Sequence, residues 1–180
     1  MTGRLVAIVG PSGVGKDTVM EAMARADPRL GLVRRVITRP STSGGEVFEG
    51  VTVPAFQAME RERAFALSWT AHDLHYGIPV SVDADLAAGR DMLANLSRGV
   101  LAQARRRFPG LQIIALTADP DVLADRLAAR GRETKEDIAR RLARAGTGVP
   151  DGLDATTIDN SGDLTTTVTA ALGSLYPVRA

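Results

Sequence analysis

The chain contains no cysteine, which excludes a disulfide framework and any thiolate metal site. Lysine is almost as scarce: Lys16 and Lys135 are its only two, and every other basic residue is arginine. Long apolar runs are missing too. No stretch approaches the roughly 20 apolar residues of a membrane span, and Leu5–Val9 is too short for the core of a secretory leader. Cytoplasm is therefore the default compartment, and no membrane partner is expected. Nor is there an excess of either charge: 22 Lys and Arg against 21 Asp and Glu give a net charge of +1. That balance makes no global case for binding nucleic acid. What remains is a chain of 180 residues with 44% apolar content, enough for one domain with a sizeable core and too apolar for disorder.

Read in order, the chain alternates strands with helices. Leu5-Val6-Ala7-Ile8-Val9 is wholly apolar and ends in glycine, as a buried parallel strand does. Val19, Met20 and Met23 recur at helical spacing to about Ala26, and Asp27-Pro28 ends that helix. Val33 to Ile37 reads as a second strand. Residues 38–80 break the pattern: a Ser-, Gly- and Glu-rich loop, a short helix over about 55–63, then a small antiparallel hairpin over 64–76. This region is expected to be an insertion outside the main sheet. The alternation then resumes with a helix over 82–88, a strand over 91–96, a helix capped by Ser97 and running to about 107, and a strand over 111–116. Asp119-Pro120 opens a further helix that Gly131 stops, and Thr134-Lys135-Glu136-Asp137 resembles a capping box before the next. A last strand over 155–158 and a helix over about 163–175 complete an α/β chain whose parallel sheet is covered on both faces.

Between the first strand and the first helix lies Gly10-Pro11-Ser12-Gly13-Val14-Gly15-Lys16-Asp17. Glycines let successive backbone N–H groups turn inward around a phosphate, and the helix start adds its positive dipole end. Lys16 would bring a mobile charge to the β- and γ-phosphates of ATP. The competing account is a glycine turn that happens to contain lysine; the strand before and the helix after favour the phosphate loop. Asp17 stands where such loops carry a Ser or Thr that offers its hydroxyl to Mg²⁺. Two readings stay open: the Asp17 carboxylate holds the metal, or Thr18 supplies the hydroxyl.

These residues resemble the guanylate-kinase-like branch of the nucleoside monophosphate kinases, and the match covers most of the chain. Thr38-Arg39-Pro40 followed by Gly45-Glu46 is similar to that branch's acceptor-phosphate segment. Tyr76-Gly77 matches its Tyr-Gly-Thr, although Ile78 replaces the threonine. Arg126, Arg130, Arg132 and Arg141 fall where its lid arginines lie. Within the branch the chain resembles the ribose 1,5-bisphosphate phosphokinases: Gly15-Lys16-Asp17, Val36-Ile37-Thr38-Arg39, Ala66-Leu67-Ser68-Trp69-Thr70-Ala71, Asn95-Leu96-Ser97-Arg98, Arg130-Gly131-Arg132-Glu133 and Asn160-Ser161-Gly162 all fit.

The resemblance implies a P-loop kinase fold of the nucleoside monophosphate kinase type over residues 1–180, with an acceptor-binding insertion at 38–80 and a lid at about 126–146. It implies ATP and Mg²⁺, bound by residues 10–18 with Arg126 and Asn160, and a metal contact at Asp17. Lys16, Arg130, Arg132 and Arg141 become the catalytic charges. Arg35, Thr38, Arg39, Glu46, His72, Tyr76, Asn95, Ser97 and Arg98 become the acceptor contacts.

Each assignment has a plainer rival. Arg35 is either a phosphate ligand or a solvated strand-end charge. Glu46 is otherwise a loop acid, and Ser97 otherwise a helix cap. Arg140 and Arg144 fit i,i+4 pairing on a solvated face. His72 is a substrate contact or an exposed hairpin histidine; with His75 it lacks the further ligands of a metal site. Trp69 reads as core.

The expected activity is transfer from ATP to the 1-phosphate of ribose 1,5-bisphosphate, in phosphonate breakdown. Asn95, Ser97 and Arg98 supply donors that suit phosphate and sugar oxygens better than a guanine edge. Guanylate kinase is the alternative acceptor reading, and a non-catalytic interaction domain is the alternative class. The small-molecule partner is a phosphorylated sugar, with no nucleic acid.

Overall fold

The structure, a computed structural model, describes residues 2–41, 47–129 and 148–177. The first half comprises β1 (Leu5–Val9), α1 (Lys16–Ala26), β2 (Leu30–Leu32), β3 (Val36–Ile37), β4 (Glu49–Gly50), α2 (Val53–Arg61), β5 (Phe65–Ala71) and β6 (Leu74–Pro79). The second comprises α3 (Val82–Ala87), β7 (Asp91–Asn95), α4 (Leu101–Arg107), β8 (Gln112–Thr117), α5 (Pro120–Ala129), β9 (Thr156–Asp159) and α6 (Leu164–Leu175).

Five strands form one parallel sheet in the order β2-β7-β1-β8-β9. Its centre follows from the apolar run of β1, in which all five residues are buried. Because side chains alternate along a strand, Leu5, Ala7 and Val9 enter one core cluster with Met92, Ala94, Leu101, Ala104 and Phe108. Val6 and Ile8 enter the other, with Val19, Met20 and Met23 of α1 and Val168, Ala171 and Leu175 of α6. A strand buried on both faces forms only when helices cover both. Each large side chain so buried contributes about 1.5–3 kcal/mol.

The P-loop α/β architecture is as the sequence predicts, and most element boundaries agree within a residue or two. The strand expected over 33–37 is different. Residues 30–32 pair with β7 at the edge of the main sheet, whereas Val36 and Ile37 pair with Gly77 and Tyr76 of β6 and with β4. Residues 33–35 carry the chain from one sheet to the other, with Val33 N donating to Leu93 O at 2.9 Å on the way. Local β-propensity cannot tell which sheet a residue will join. The second sheet has the order β4-β3-β6-β5; its β5–β6 hairpin turns through His72 and Asp73, both left-handed at φ 52° and 61°.

Strand direction sorts the molecule into two ends. At the amino ends of the main-sheet strands, Asp91 accepts from the Arg4 guanidinium at 2.7 Å and from the Tyr176 hydroxyl at 2.7 Å. Arg29 lies over the Tyr176 ring at 3.6 Å. This cluster ties the end of α6 to the sheet. Desolvation and the hydrogen bond to Asp91 push the Tyr176 phenol up to about 12. The carboxyl ends of β1 and β7 carry the glycine loop and Asn95.

Candidate functional site

The phosphate loop connects β1 to α1. Gly10 (φ 153°) and Gly15 (φ 92°) adopt backbones that other residues rarely reach. A Cβ at Gly10 would stand 2.6 Å from Leu116 O, and one at Gly15 would stand 2.9 Å from Asn160 Nδ2. Val14 plugs the loop into the core with no exposed surface. Its carbonyl is held from behind, by Asn160 Nδ2 at 2.7 Å and by the Arg126 guanidinium at 3.4 Å. Asn160 in turn accepts from Thr167 Oγ1 at 2.8 Å and is only 5% exposed. Both residues, expected at the nucleotide, brace the loop that would cradle it. Lys16 folds over the loop, its Nζ donating to Gly10 O at 3.0 Å and Pro11 O at 3.1 Å.

Asp17 opens α1 beside the end of β7, where the Asn95 side chain is buried. Asn95 Nδ2 donates to Asp17 Oδ1 at 2.9 Å, and Asn95 O accepts from Arg35 at 2.8 Å. Arg35 itself is buried, its guanidinium 5.2 Å from the Tyr76 ring centroid. Tyr76 stacks on Trp69 at 5.3 Å and 9° between planes, and Trp69 Nε1 donates to Ser97 Oγ at 2.9 Å. Residues from both sheets thus meet in one cluster against the phosphate loop. Desolvation by burial lowers the pKa of the neighbouring Arg98.

Arg39 differs from Arg35. Its guanidinium lies 4.4 Å from the Phe48 ring centroid, and its Nε is buried with no hydrogen-bond partner among the described residues. A buried donor left unpaired costs about 1–3 kcal/mol, a cost that a bound anion would remove. Arg35 already serves the backbone of Asn95.

The remaining candidates divide. Thr38 Oγ1 accepts from His75 N at 2.9 Å, so it fastens β3 to the hairpin. His72 sits exposed at the hairpin tip, where it makes no hydrogen bond or ring contact among the described residues. Thr18 is exposed on α1, and Ser12 is half-buried in the loop. Glu46, Arg130, Arg132 and Arg141 lie outside the described residues, as do most of the expected lid and the capping-box segment.

Two local readings change. Ser97 occupies the cap position of the 3₁₀ turn Arg98–Val100 that leads into α4, but its side chain makes no capping bond; its oxygen takes the indole N–H instead. Trp69 packs against the core as expected, yet the sequence carries no signal that its polar edge reaches across to the main sheet.

No group of three or more His, Cys, Asp or Glu among the described residues could hold a metal ion. The residues present do suit Mg²⁺, which keeps several waters and is held by one or two carboxylates together with substrate phosphates. Asn95 engages one oxygen of Asp17, and the other has no hydrogen bond among the described residues.

No family model matches the chain. It is 46% identical over 179 residues to a ribose 1,5-bisphosphate phosphokinase PhnN of Ruegeria sp. (strain TM1040), covering 99% of this chain and 94% of the relative. It is 49% identical over 184 residues to the protein of that name in Pseudomonas paraeruginosa (strain DSM 24068 / PA7), covering 100% and 99%. Among solved structures, a guanylate kinase from Anaplasma phagocytophilum matches with a TM-score of 0.73 at 15% identity, over 97% of this chain and 85% of that one. That likeness is one of fold alone.

Proposed function

Because the chain belongs to the ribose 1,5-bisphosphate phosphokinase family, we propose that it transfers the γ-phosphoryl group of ATP to the 1-phosphate of α-D-ribose 1,5-bisphosphate. The products are 5-phospho-α-D-ribose 1-diphosphate and ADP. The observation that carries this reading is the cluster around Asn95, which joins the phosphate loop to the second sheet through Asp17 and Arg35.

An acceptor phosphate oxygen is already an anionic nucleophile, so no general base is required. A bond forms from that oxygen to the γ-phosphorus as the bond between the γ-phosphorus and the β,γ-bridging oxygen breaks, and the electron pair leaves with ADP. The chain then has to position the two phosphates and neutralise charge. The loop of residues 10–15 supplies backbone N–H groups, and Lys16 exchanges its loop carbonyls for phosphate oxygens. Arg39 binds the acceptor phosphate, using the Nε that has no partner among the described residues. Asn95, Ser97 and Arg98 present donors to the sugar and its phosphate, while Tyr76 and Arg35 hold that wall in place. Arg130, Arg132 and Arg141 are assigned to the transferring group, with Glu46 and His72 at the rim of the acceptor site. Asp17 would hold Mg²⁺, which when bound neutralises charge on the nucleotide phosphates.

The acceptor is a phosphorylated sugar, and the reaction uses neither nucleic acid nor membrane. No helix of the described residues is long and apolar enough to cross a membrane, and we place the enzyme in the cytoplasm, serving phosphonate breakdown. Phosphorus NMR of the protein with ATP, Mg²⁺ and ribose 1,5-bisphosphate tests the reading. Coupled diphosphate resonances growing with ADP are the expected result; loss of ATP to free phosphate alone is the contrary one.

A further inference from the structure

Ser97 stands at a cap position with a cap-like backbone, φ −78° and ψ 143°, yet makes no capping bond. Its oxygen accepts the Trp69 indole N–H at 2.9 Å. Among the described residues its own hydroxyl proton finds no acceptor. A hydroxyl whose oxygen is engaged in this way is restricted in rotation and polarised as a donor.

Besides the bond to Ser97, two contacts hold the indole. Trp69 lies on β5 of the second sheet and packs against the core of the main sheet. Its ring stacks on Tyr76, opposite it in the hairpin register. Tyr76 lies under Arg35, and Arg35 donates to Asn95 O. The circuit therefore leaves the end of β7 at Ser97 and returns to it at Asn95, so the N–H that reaches Ser97 is placed by both sheets.

We propose that Trp69 is a positioning residue for the acceptor: by donating to Ser97 it directs the Ser97 hydroxyl proton toward an acceptor oxygen. The carboxyl end of β7 is thereby set to receive an oxygen-rich phosphorylated sugar. The inference rests on the reading of Ser97 as an acceptor contact. Trp69→Phe separates it from simple packing, because phenylalanine keeps a ring for Tyr76 but has no N–H.

The test uses the full chain with Trp69→Phe, Ser97→Ala and the double variant, varying each substrate in turn. Loss of one hydrogen bond should raise the acceptor KM by about threefold to tenfold, with kcat and the ATP KM within about twofold. The double variant should be no worse than Ser97→Ala alone, since both remove one path. Trp69 is the single tryptophan of the chain, so its emission reports the site directly. Titrating ribose 1,5-bisphosphate without ATP should shift emission in the unsubstituted protein, and by less than half as much in Ser97→Ala.

An unchanged acceptor KM in Trp69→Phe, additive effects, an equal rise in both KM values with a lowered Tm, or an undiminished emission change in Ser97→Ala each overturns the role of Trp69. These results leave the functional reading standing if the unsubstituted protein still turns over ribose 1,5-bisphosphate. Absence of that turnover overturns both.

Discussion

Asn95 joins two parts of the molecule that lie far apart in sequence: its side-chain amide donates to Asp17 at 2.9 Å, and its carbonyl accepts from Arg35 at 2.8 Å. The first contact reaches the phosphate loop, the second the strand leading to the second sheet. Replacing Asn95 with Asp turns the first contact into a like-charge pair and removes a donor. The expected outcome is a fall of about tenfold or more in kcat/KM, with a tighter apparent Mg²⁺ affinity for the enzyme–ATP mixture, because a second carboxylate beside Asp17 draws the cation and is relieved by it. Titrations of rate against Mg²⁺ at fixed ATP check this. Unchanged Mg²⁺ dependence would separate Asn95 from the metal.

Lys16→Ala should abolish most phosphoryl transfer, by at least about 10²-fold in kcat, as for loss of one transition-state charge donor. Lys16 is only half-buried and bonds to its own loop, so Tm should move little. Steady-state assay with a melting curve measures both. Near-normal turnover would remove the loop from the mechanism.

Arg35 and Arg39, four residues apart, should behave differently. Arg35 is buried and hydrogen-bonded to the backbone, so Arg35→Ala should cost about 1.5–3 kcal/mol of stability and lower Tm by several degrees. Arg39 has a buried Nε with no hydrogen-bond partner among the described residues. Arg39→Ala should raise the acceptor KM by about tenfold or more while leaving the ATP KM and Tm nearly unchanged. A rise confined to the ATP KM would place Arg39 on the wrong substrate.

At the opposite end of the sheet, burial raises the Asp91 pKa, but hydrogen bonds from Arg4 and Tyr176 outweigh it and leave the carboxyl below its usual range. A depressed acid contributes stability above its unfolded value near 3.9, lost as pH falls through the folded value. The Tyr176 phenol, raised to about 12, contributes stability that is full below about pH 10 and lost between about 10 and 12. Tyr176→Phe should destabilise by about 1 kcal/mol at pH 7 and lose less stability than the parent between pH 10 and 12. Urea unfolding at several pH values reads this; parallel curves for the two proteins would contradict it.

The glycine loop was legible because its chemistry is local: three glycines, a lysine, and apolar patterns on either side. β1 declared its burial by being apolar at every position. The strand expected at 33–37 failed because pairing with β7 or with β6 is decided by partners distant in sequence. The same holds inside the site. Asn95 and Asp17 were each readable as candidates, yet 78 positions separate them, and nothing local announces their contact. Asn160 shows the converse: its resemblance to a family motif marks it as a nucleotide contact, but its place behind Val14 depends on a fold that joins residues 146 positions apart. Ser97 looked like a cap because its backbone is one, and only the position of Trp69 shows where its oxygen is spent.

The acceptor decides the account. In the proposed site Asn95, Ser97 and Arg98 turn donors to the acceptor, which phosphate and sugar oxygens would pair; a guanine edge would leave some of them desolvated. Each unpaired buried group costs about 1–3 kcal/mol, so two correspond to discrimination of about 10²-fold or more. Measuring kcat/KM for ribose 1,5-bisphosphate and for GMP at saturating ATP and Mg²⁺ tests this most directly. The bisphosphate should win by at least about 10²-fold; a GMP value equal to or above it would contradict the assignment.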